Sequence, residues 1–177
     1  MDKEKINLIK KAKKGDGESF VLLLKQYEKV LYGMAKRILI NEEYVEDALQ
    51  STFLKAFEQI TKLRKNKYFN TWICRILINE CYSIMNKEKK YVNLTNDTVV
   101  GSETKYFGEL EFQDLVGELD VKYRVPLTLF YYSGYSINEI SRVLDLPENT
   151  VKTQLRRGKQ LLEKNLLDES EVVIYGV

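Results

Sequence analysis

Histidine is absent from the 177 residues. That excludes Ser-His-Asp and Cys-His catalysis and the common His-containing zinc sites. Chemistry based on Asp, Glu, Lys or Tyr stays open. The two cysteines, Cys74 and Cys81, lie seven positions apart. On a helix they share one face at roughly 10 Å, too far for a disulfide. Two small buried thiols are expected, rather than a metal or redox pair. Proline occurs only as Pro126 and Pro147, and from Met34 to Val100 there is neither Gly nor Pro. So few breakers, with much Leu, Lys, Glu and Ala, predict helices. No uninterrupted apolar run is long enough to span a bilayer. The start, Met1-Asp2-Lys3-Glu4-Lys5, lacks the apolar stretch of a signal peptide. A cytoplasmic location is therefore expected. Nothing resembles a P-loop, a dinucleotide fingerprint or paired catalytic acids. No cofactor, metal, small-molecule substrate or enzymatic reaction is expected.

What is present points to a folded chain, with 44% hydrophobic and 31% charged residues. Two halves of about 80 residues would each be only marginally stable alone. The net charge of 28 − 26 = +2 hides an asymmetry. Residues 1–90 carry 19 bases against 12 acids, or +7, and residues 91–177 carry 9 against 14, or −5. Such a split implies distinct surfaces and partners.

Ile6, Ile9 and Ala12 predict a short opening helix, stopped near Gly15-Asp16-Gly17. Phe20, Leu23, Leu24, Tyr27, Leu31, Met34, Ala35 and Ile38 then recur at helical spacing. Val45, Ala48, Leu49, Thr52, Phe53, Ala56, Phe57 and Ile60 form another stripe. After a polar, basic stretch, Phe69, Trp72, Ile73, Ile76, Leu77, Cys81 and Ile84 mark a helix ending near Lys87. Residues 1–90 are thus predicted to be a helical bundle. Residues 91–108 read as a linker rich in Asn, Thr, Ser and Gly. Residues 109–177 resume helical spacing, with stripes at Leu110–Leu119 and Tyr123–Phe130. The last helix is predicted over Asn149–Leu167, with a frayed end from Asp168. The expected fold class is all-α: two small helical domains tethered loosely.

The strongest motif runs from Ser136 to Lys159. Ser136-Ile137-Asn138-Glu139 has the form of a capping box. Pro147 pushes Leu146 away from helix, which makes Asp145–Glu148 a turn. Two helices across a short turn make a helix-turn-helix. Val151 and Leu155 are predicted to face inward. Asn149, Thr150, Lys152, Thr153, Gln154, Arg156, Arg157 and Lys159 are left for the other faces. From Asn149 to Lys164 there are five bases and one acid. A major groove takes this mixture: Arg and Lys for phosphates and guanine, Asn or Gln for adenine, Thr for either. The plainer alternative is a hairpin that only packs or binds protein.

A second basic region, residues 55–90, holds nine bases and three acids. Tyr68, Phe69, Trp72 and Tyr82 are interleaved, a pattern suited to single-stranded nucleic acid. Phe69 and Trp72, spaced i and i+3, are expected in the core. Tyr68 and Lys62–Lys67 are expected to be exposed. A third signal, Glu42–Gln50, clusters acids at a helix start. The helix dipole alone explains that as well as a docking face does.

The sequence resembles bacterial sigma factors of the extracytoplasmic-function (ECF) group, sigma-70 family, along nearly its whole length. Gly15-Asp16-Gly17-Glu18-Ser19-Phe20 resembles the opening motif, and Glu46–Phe53 the core-polymerase-binding helix. Phe69–Ile73 through Asn79 resembles the promoter-melting segment. Ser136–Ser141 with Pro147–Gly158 resembles the minus-thirty-five-reading helix-turn-helix. The resemblance implies core polymerase contacts at Asp47, Gln50 and Phe53. It implies minus-ten contacts at Lys62, Arg64, Lys65, Lys67, Tyr68, Asn79 and Lys87, and minus-thirty-five contacts on the basic helix above. It implies three partners: core RNA polymerase, promoter DNA and an anti-sigma factor, often membrane-bound. Ser51, Ser83 and Asn86 depart from the family pattern. Two other readings remain: a stand-alone helix-turn-helix regulator with an N-terminal helical sensor domain, and a protein-interaction adaptor.

Overall fold

A computed structural model describes the backbone of residues 3–95 and 116–175, and the side chains of 3–88 and 116–166. Seven α-helices account for most of it: α1 (Lys3–Ala12), α2 (Gly17–Ile38), α3 (Glu42–Gln59), α4 (Phe69–Thr95), α5 (Val121–Leu127), α6 (Ile137–Leu144) and α7 (Glu148–Tyr175). There is no strand among the described residues.

Short polar side chains start the helices. Asp16 caps α2, its carboxylate accepting from the Ser19 N–H at 3.0 Å and the Ser19 hydroxyl at 2.8 Å. Those donors, the backbone one foremost, hold the Asp16 carboxyl below its ordinary value. Asn41 caps α3 through the Glu43 N–H at 2.8 Å, with Glu42 and Glu43 in the first turn beside the helix dipole. The capping box of α6 is complete. Ser136 Oγ accepts from the Glu139 N–H at 3.3 Å, and Glu139 Oε2 accepts from the Ser136 N–H at 2.9 Å. Asp145 closes α6 in the left-handed region, φ 57°, and Pro147 precedes the first residue of α7.

Three stretches differ from the sequence expectation. Helix α4 continues past Lys87 to Thr95, into the stretch read as linker, and α7 passes Leu167 to reach Tyr175. The stripe from Tyr123 to Phe130 is not one helix. Pro126, which has no N–H to give, sits within α5, and Thr128–Tyr132 widens into a π turn. The rest of the expected linker and the Leu110 part of the first stripe lie outside the described residues.

Helices α1–α4 enclose a core that includes Ile9, Leu23, Leu31, Met34, Ile38, Phe69, Ile73 and Leu77. Cys74 and Cys81 are buried free thiols. Desolvation pushes both up to about 12. Helices α5 and α7 enclose a small second cluster of Val116, Leu119, Leu127 and Leu162. Yet Val125, Leu129, Ile140, Val143 and Val151 belong to the first core, not the second. The two helical modules thus share part of one core. The described C-terminal helices α5 to α7 have too little interior to bury all their apolar faces. Leu129, Ile140 and Val143 find cover on the N-terminal bundle.

Candidate nucleic-acid interface

Three surfaces carry the residues singled out in the sequence. The first is on α3. Asp47 and Gln50 are exposed, and Phe53 is half-buried. Leu54 and Phe57 continue the Asp47–Gln50 row at helical spacing and are 66% and 55% exposed. Facing them on α2 are Val21 and Leu22, 51% and 53% exposed. Together with Phe20, Leu24 and Phe53 they line an open groove of about 720 Å³. The Phe20 and Phe57 rings meet edge to face at 5.2 Å. Helical spacing predicts Phe57 in the buried stripe of α3 and assigns Leu54 no role. The flank of that stripe instead faces the N-terminal part of α2, and both side chains stay exposed.

The second surface is the basic loop between α3 and α4. Lys62, Arg64, Lys65 and Lys67 are exposed. Leu63 is buried, and Lys13 Nζ donates to its carbonyl at 2.6 Å, which ties the loop to the turn just after α1. Tyr68, expected exposed, is half-buried. Its ring lies 5.0 Å from the Lys67 ammonium and 5.3 Å from the Arg142 guanidinium of α6. Lys67 first, then Arg142, pull the Tyr68 hydroxyl below its ordinary pKa. Asn79 and Lys87 are exposed on α4. Phe69 is fully buried and Trp72 packs partly buried beside it at 5.5 Å, as the spacing predicted.

The third surface is the start of α7. Val151 is fully buried and Leu155 partly so, which turns the opposite face to solvent. Asn149, Lys152, Arg156, Arg157 and Lys159 are exposed. Thr150 and Thr153 are half-buried, and Thr153 Oγ1 donates back to the Asn149 carbonyl at 2.9 Å. Gln154 departs from the expected exposed face: it is half-buried, and its Oε1 is buried without a partner among the described residues. It follows Val151 by three positions and so leans toward the side that Val151 packs.

No metal-binding group of His, Cys, Asp and Glu exists among the described residues. No described helix is long and apolar enough to cross a membrane.

A basic helix-turn-helix joined to a helical bundle with its own cationic loop defines a two-part DNA-binding protein. Residues 23–91 match Sigma-70 region 2, and residues 109–162 match Sigma-70, region 4. The chain is 30% identical over 178 residues to the ECF RNA polymerase sigma factor SigW of Bacillus subtilis, covering 90% of this chain and 95% of that one. It is 22% identical to the ECF RNA polymerase sigma-E factor of Haemophilus influenzae, covering 90% and 93%. The chain belongs to the extracytoplasmic-function group of the sigma-70 family, factors that direct RNA polymerase to promoters. The fold agrees with two solved structures. CnrH in complex with the cytosolic domain of CnrY matches at TM-score 0.70 and 23% identity, covering 94% of this chain and 98% of that one. RpoE in complex with the anti-sigma factor NepR from Bartonella quintana matches at TM-score 0.74 and 21% identity, covering 84% and 97%.

Proposed function

We propose that three surfaces of this chain divide the work of promoter-specific initiation. Asp47, Gln50 and Phe53, extended by the apolar groove through Leu54 and Phe57, dock core RNA polymerase. Lys62, Arg64, Lys65, Lys67, Tyr68, Asn79 and Lys87 take the minus-ten element and stabilise its open form. Stacking of an unpaired base on an aromatic ring offsets the few kcal/mol that unstacking costs. Asn149, Thr150, Lys152, Thr153, Gln154, Arg156, Arg157 and Lys159 take the minus-thirty-five element. Residues 1–90 form the polymerase-binding and minus-ten module, 91–108 the linker and 109–177 the minus-thirty-five module. The chain carries out no reaction itself, because phosphodiester chemistry belongs to polymerase, and it works in the cytoplasm. An anti-sigma factor, either soluble or membrane-bound, holds it inactive. The two solved structures that share its fold are both complexes, one of them named as holding an anti-sigma factor.

The observation that carries this reading is the exposed cationic face of α7 on a chain whose net charge is only +2. A small basic helix alone holds DNA weakly and loses it steeply with salt. A second anchor is needed, and polymerase supplies it. The test mixes the purified chain with core polymerase and measures co-elution and run-off transcription from candidate promoters. Initiation that depends on the chain is the expected result. Failure to co-elute, with no initiation on any promoter, overturns the proposal.

A further inference from the structure

The turn that closes α1 reaches the cationic loop between α3 and α4. Gly15, at φ 94°, takes the left-handed conformation in which glycine most readily ends a helix. Its N–H bonds to the Ala12 carbonyl at 3.0 Å, and the Asp16 N–H bonds to the Lys11 carbonyl at 3.2 Å. This doubly bonded closure fixes the backbone from which Lys13 projects. Ile9 and Ala12, both buried in the core of the N-terminal bundle, anchor the end of α1 beside it.

From there the Lys13 ammonium donates twice into the loop, to the Leu63 carbonyl at 2.6 Å and to Asn66 Oδ1 at 3.4 Å. Leu63 follows one short helical turn, Ile60–Lys62, its N–H bonded to the Ile60 carbonyl at 3.2 Å. Asn66 opens the next, Asn66–Tyr68, where the Tyr68 N–H bonds to the Lys65 carbonyl at 3.0 Å. Arg64 and Lys65 stand between the two turns, and both are exposed. One ammonium thus fastens both shoulders of a two-residue cationic tip. The charges of Lys62, Arg64, Lys65 and Lys67 repel one another along this short stretch, so the tip gains from being held. Both acceptors of Lys13 are neutral oxygens. Its own charge is therefore not cancelled and adds to the positive field beneath the tip.

We propose that Lys13 is a positioning residue for minus-ten reading: it braces the Arg64–Lys65 tip in one shape, so that the loop selects among bases instead of moulding itself to whichever base arrives. This rests on the minus-ten role proposed above for the loop. A loop ordered before binding spends no binding energy on becoming ordered. A rigid loop also leaves polar groups unpaired against the wrong base, and that loss separates one base from another. A loose loop of the same charge still attracts phosphates, which carry no sequence information. Removal of the brace therefore costs selectivity more than affinity.

Lys13→Met keeps the apolar stem and removes the donor and the charge together. Lys14→Met, at the exposed neighbour, removes the same charge but no bond to the loop. Asn66→Leu cuts the brace from the loop side and decides the matter if Lys13→Met does not fold. Amide hydrogen exchange on the free chain reads the brace. The Leu63 and Tyr68 amides are expected to exchange about tenfold faster in Lys13→Met, the loss of roughly one hydrogen bond from a charged donor. In Lys14→Met they should keep the parent rates. Selectivity is read on the complete polymerase complex, by run-off from a template library randomised over both promoter elements, each template carrying a transcribed barcode. The parent is expected to favour one minus-ten base by about tenfold, and Lys13→Met to bring that preference within about twofold of even while co-eluting with core polymerase as the parent does. Unchanged exchange overturns the brace. Faster exchange with the parent's base preference overturns the positioning role. A kept preference with a salt slope lower by about one unit makes Lys13 a phosphate contact and overturns it too. Equal flattening in Lys14→Met assigns the effect to charge and overturns the brace as its cause. A parent that initiates on no template sinks the minus-ten reading and the positioning role with it, while exchange still decides whether Lys13 holds the loop.

Discussion

Gly158 sits within α7 where two effects of opposite sign meet. Alanine there gains about 1 kcal/mol of helix propensity. It also places a methyl group 2.8 Å from Leu127 Cδ1, 3.2 Å from Leu127 Cγ and 3.2 Å from Tyr123 Cβ. Leu127 is fully buried in the cluster with Val116, Leu119 and Leu162. Either it leaves its rotamer or α5 and α7 move apart, at about 1–3 kcal/mol. The steric cost wins, and Gly158→Ala should lose about 1 kcal/mol net. For a chain of this size that lowers the midpoint by about 2–4 °C. Far-UV circular dichroism melts give the number. Gly117→Ala is the control, because a Cβ there meets no described atom within 4 Å, and its midpoint should not fall. A Gly158→Ala protein melting above its parent would refute the argument that α5 and α7 are close-packed at this point.

Three further outcomes follow from the surfaces and the core. Arg156→Ala with Arg157→Ala should weaken binding of the polymerase complex to the minus-thirty-five element and flatten its salt dependence by about one unit of slope per lost phosphate contact; an unchanged slope removes both residues from the DNA face. Leu54→Arg should abolish co-elution with core polymerase while leaving the melting curve within about 0.5 kcal/mol, since the side chain is exposed; retained co-elution moves the docking site elsewhere. The folded chain holds the Cys74 and Cys81 protons up to about pH 12, whereas an unfolded thiol releases its proton near pH 8.5. The unfolded state therefore binds fewer protons above about pH 8.5, and stability falls as pH rises, by up to about 1.4 kcal/mol per unit for each thiol. Denaturant titrations at about pH 8 and pH 10 should show that loss, and Cys74→Ala with Cys81→Ala should remove most of it.

What a helix does locally was legible in the sequence. The Ser136 capping box, the turn at Asp145–Glu148 and the stripes of α1 to α4 are each set by neighbours a few positions apart. The buried thiols and the inward Phe69 follow from the same periodicity. The exposed cations of α7 were legible too, because Val151 fixes the opposite face. Periodicity does not say what lies opposite the edge of a stripe. Phe57 fits the buried row of α3 by spacing, yet it faces a groove that no other described helix fills. Tyr68 reads as exposed until Arg142, far along the chain, arrives beside it. The joining of the two cores rests on Leu129, Ile140 and Val143, whose partners no local pattern specifies. Gln154 is half-buried because a small rotation of α7 suffices to turn a flanking position inward.

The widened turn at Thr128–Tyr132 makes orientation a matter of residue count. Each residue of an ordinary helix advances the chain by about 100°. A turn that swallows an extra residue sets the bearing of everything downstream, from the aromatic tip at Tyr132 to the start of the reading helix. Replacing its side chains one at a time would leave that bearing untouched. Deleting a single residue from it would swing the whole downstream arm, a sensitivity to length rather than to chemistry.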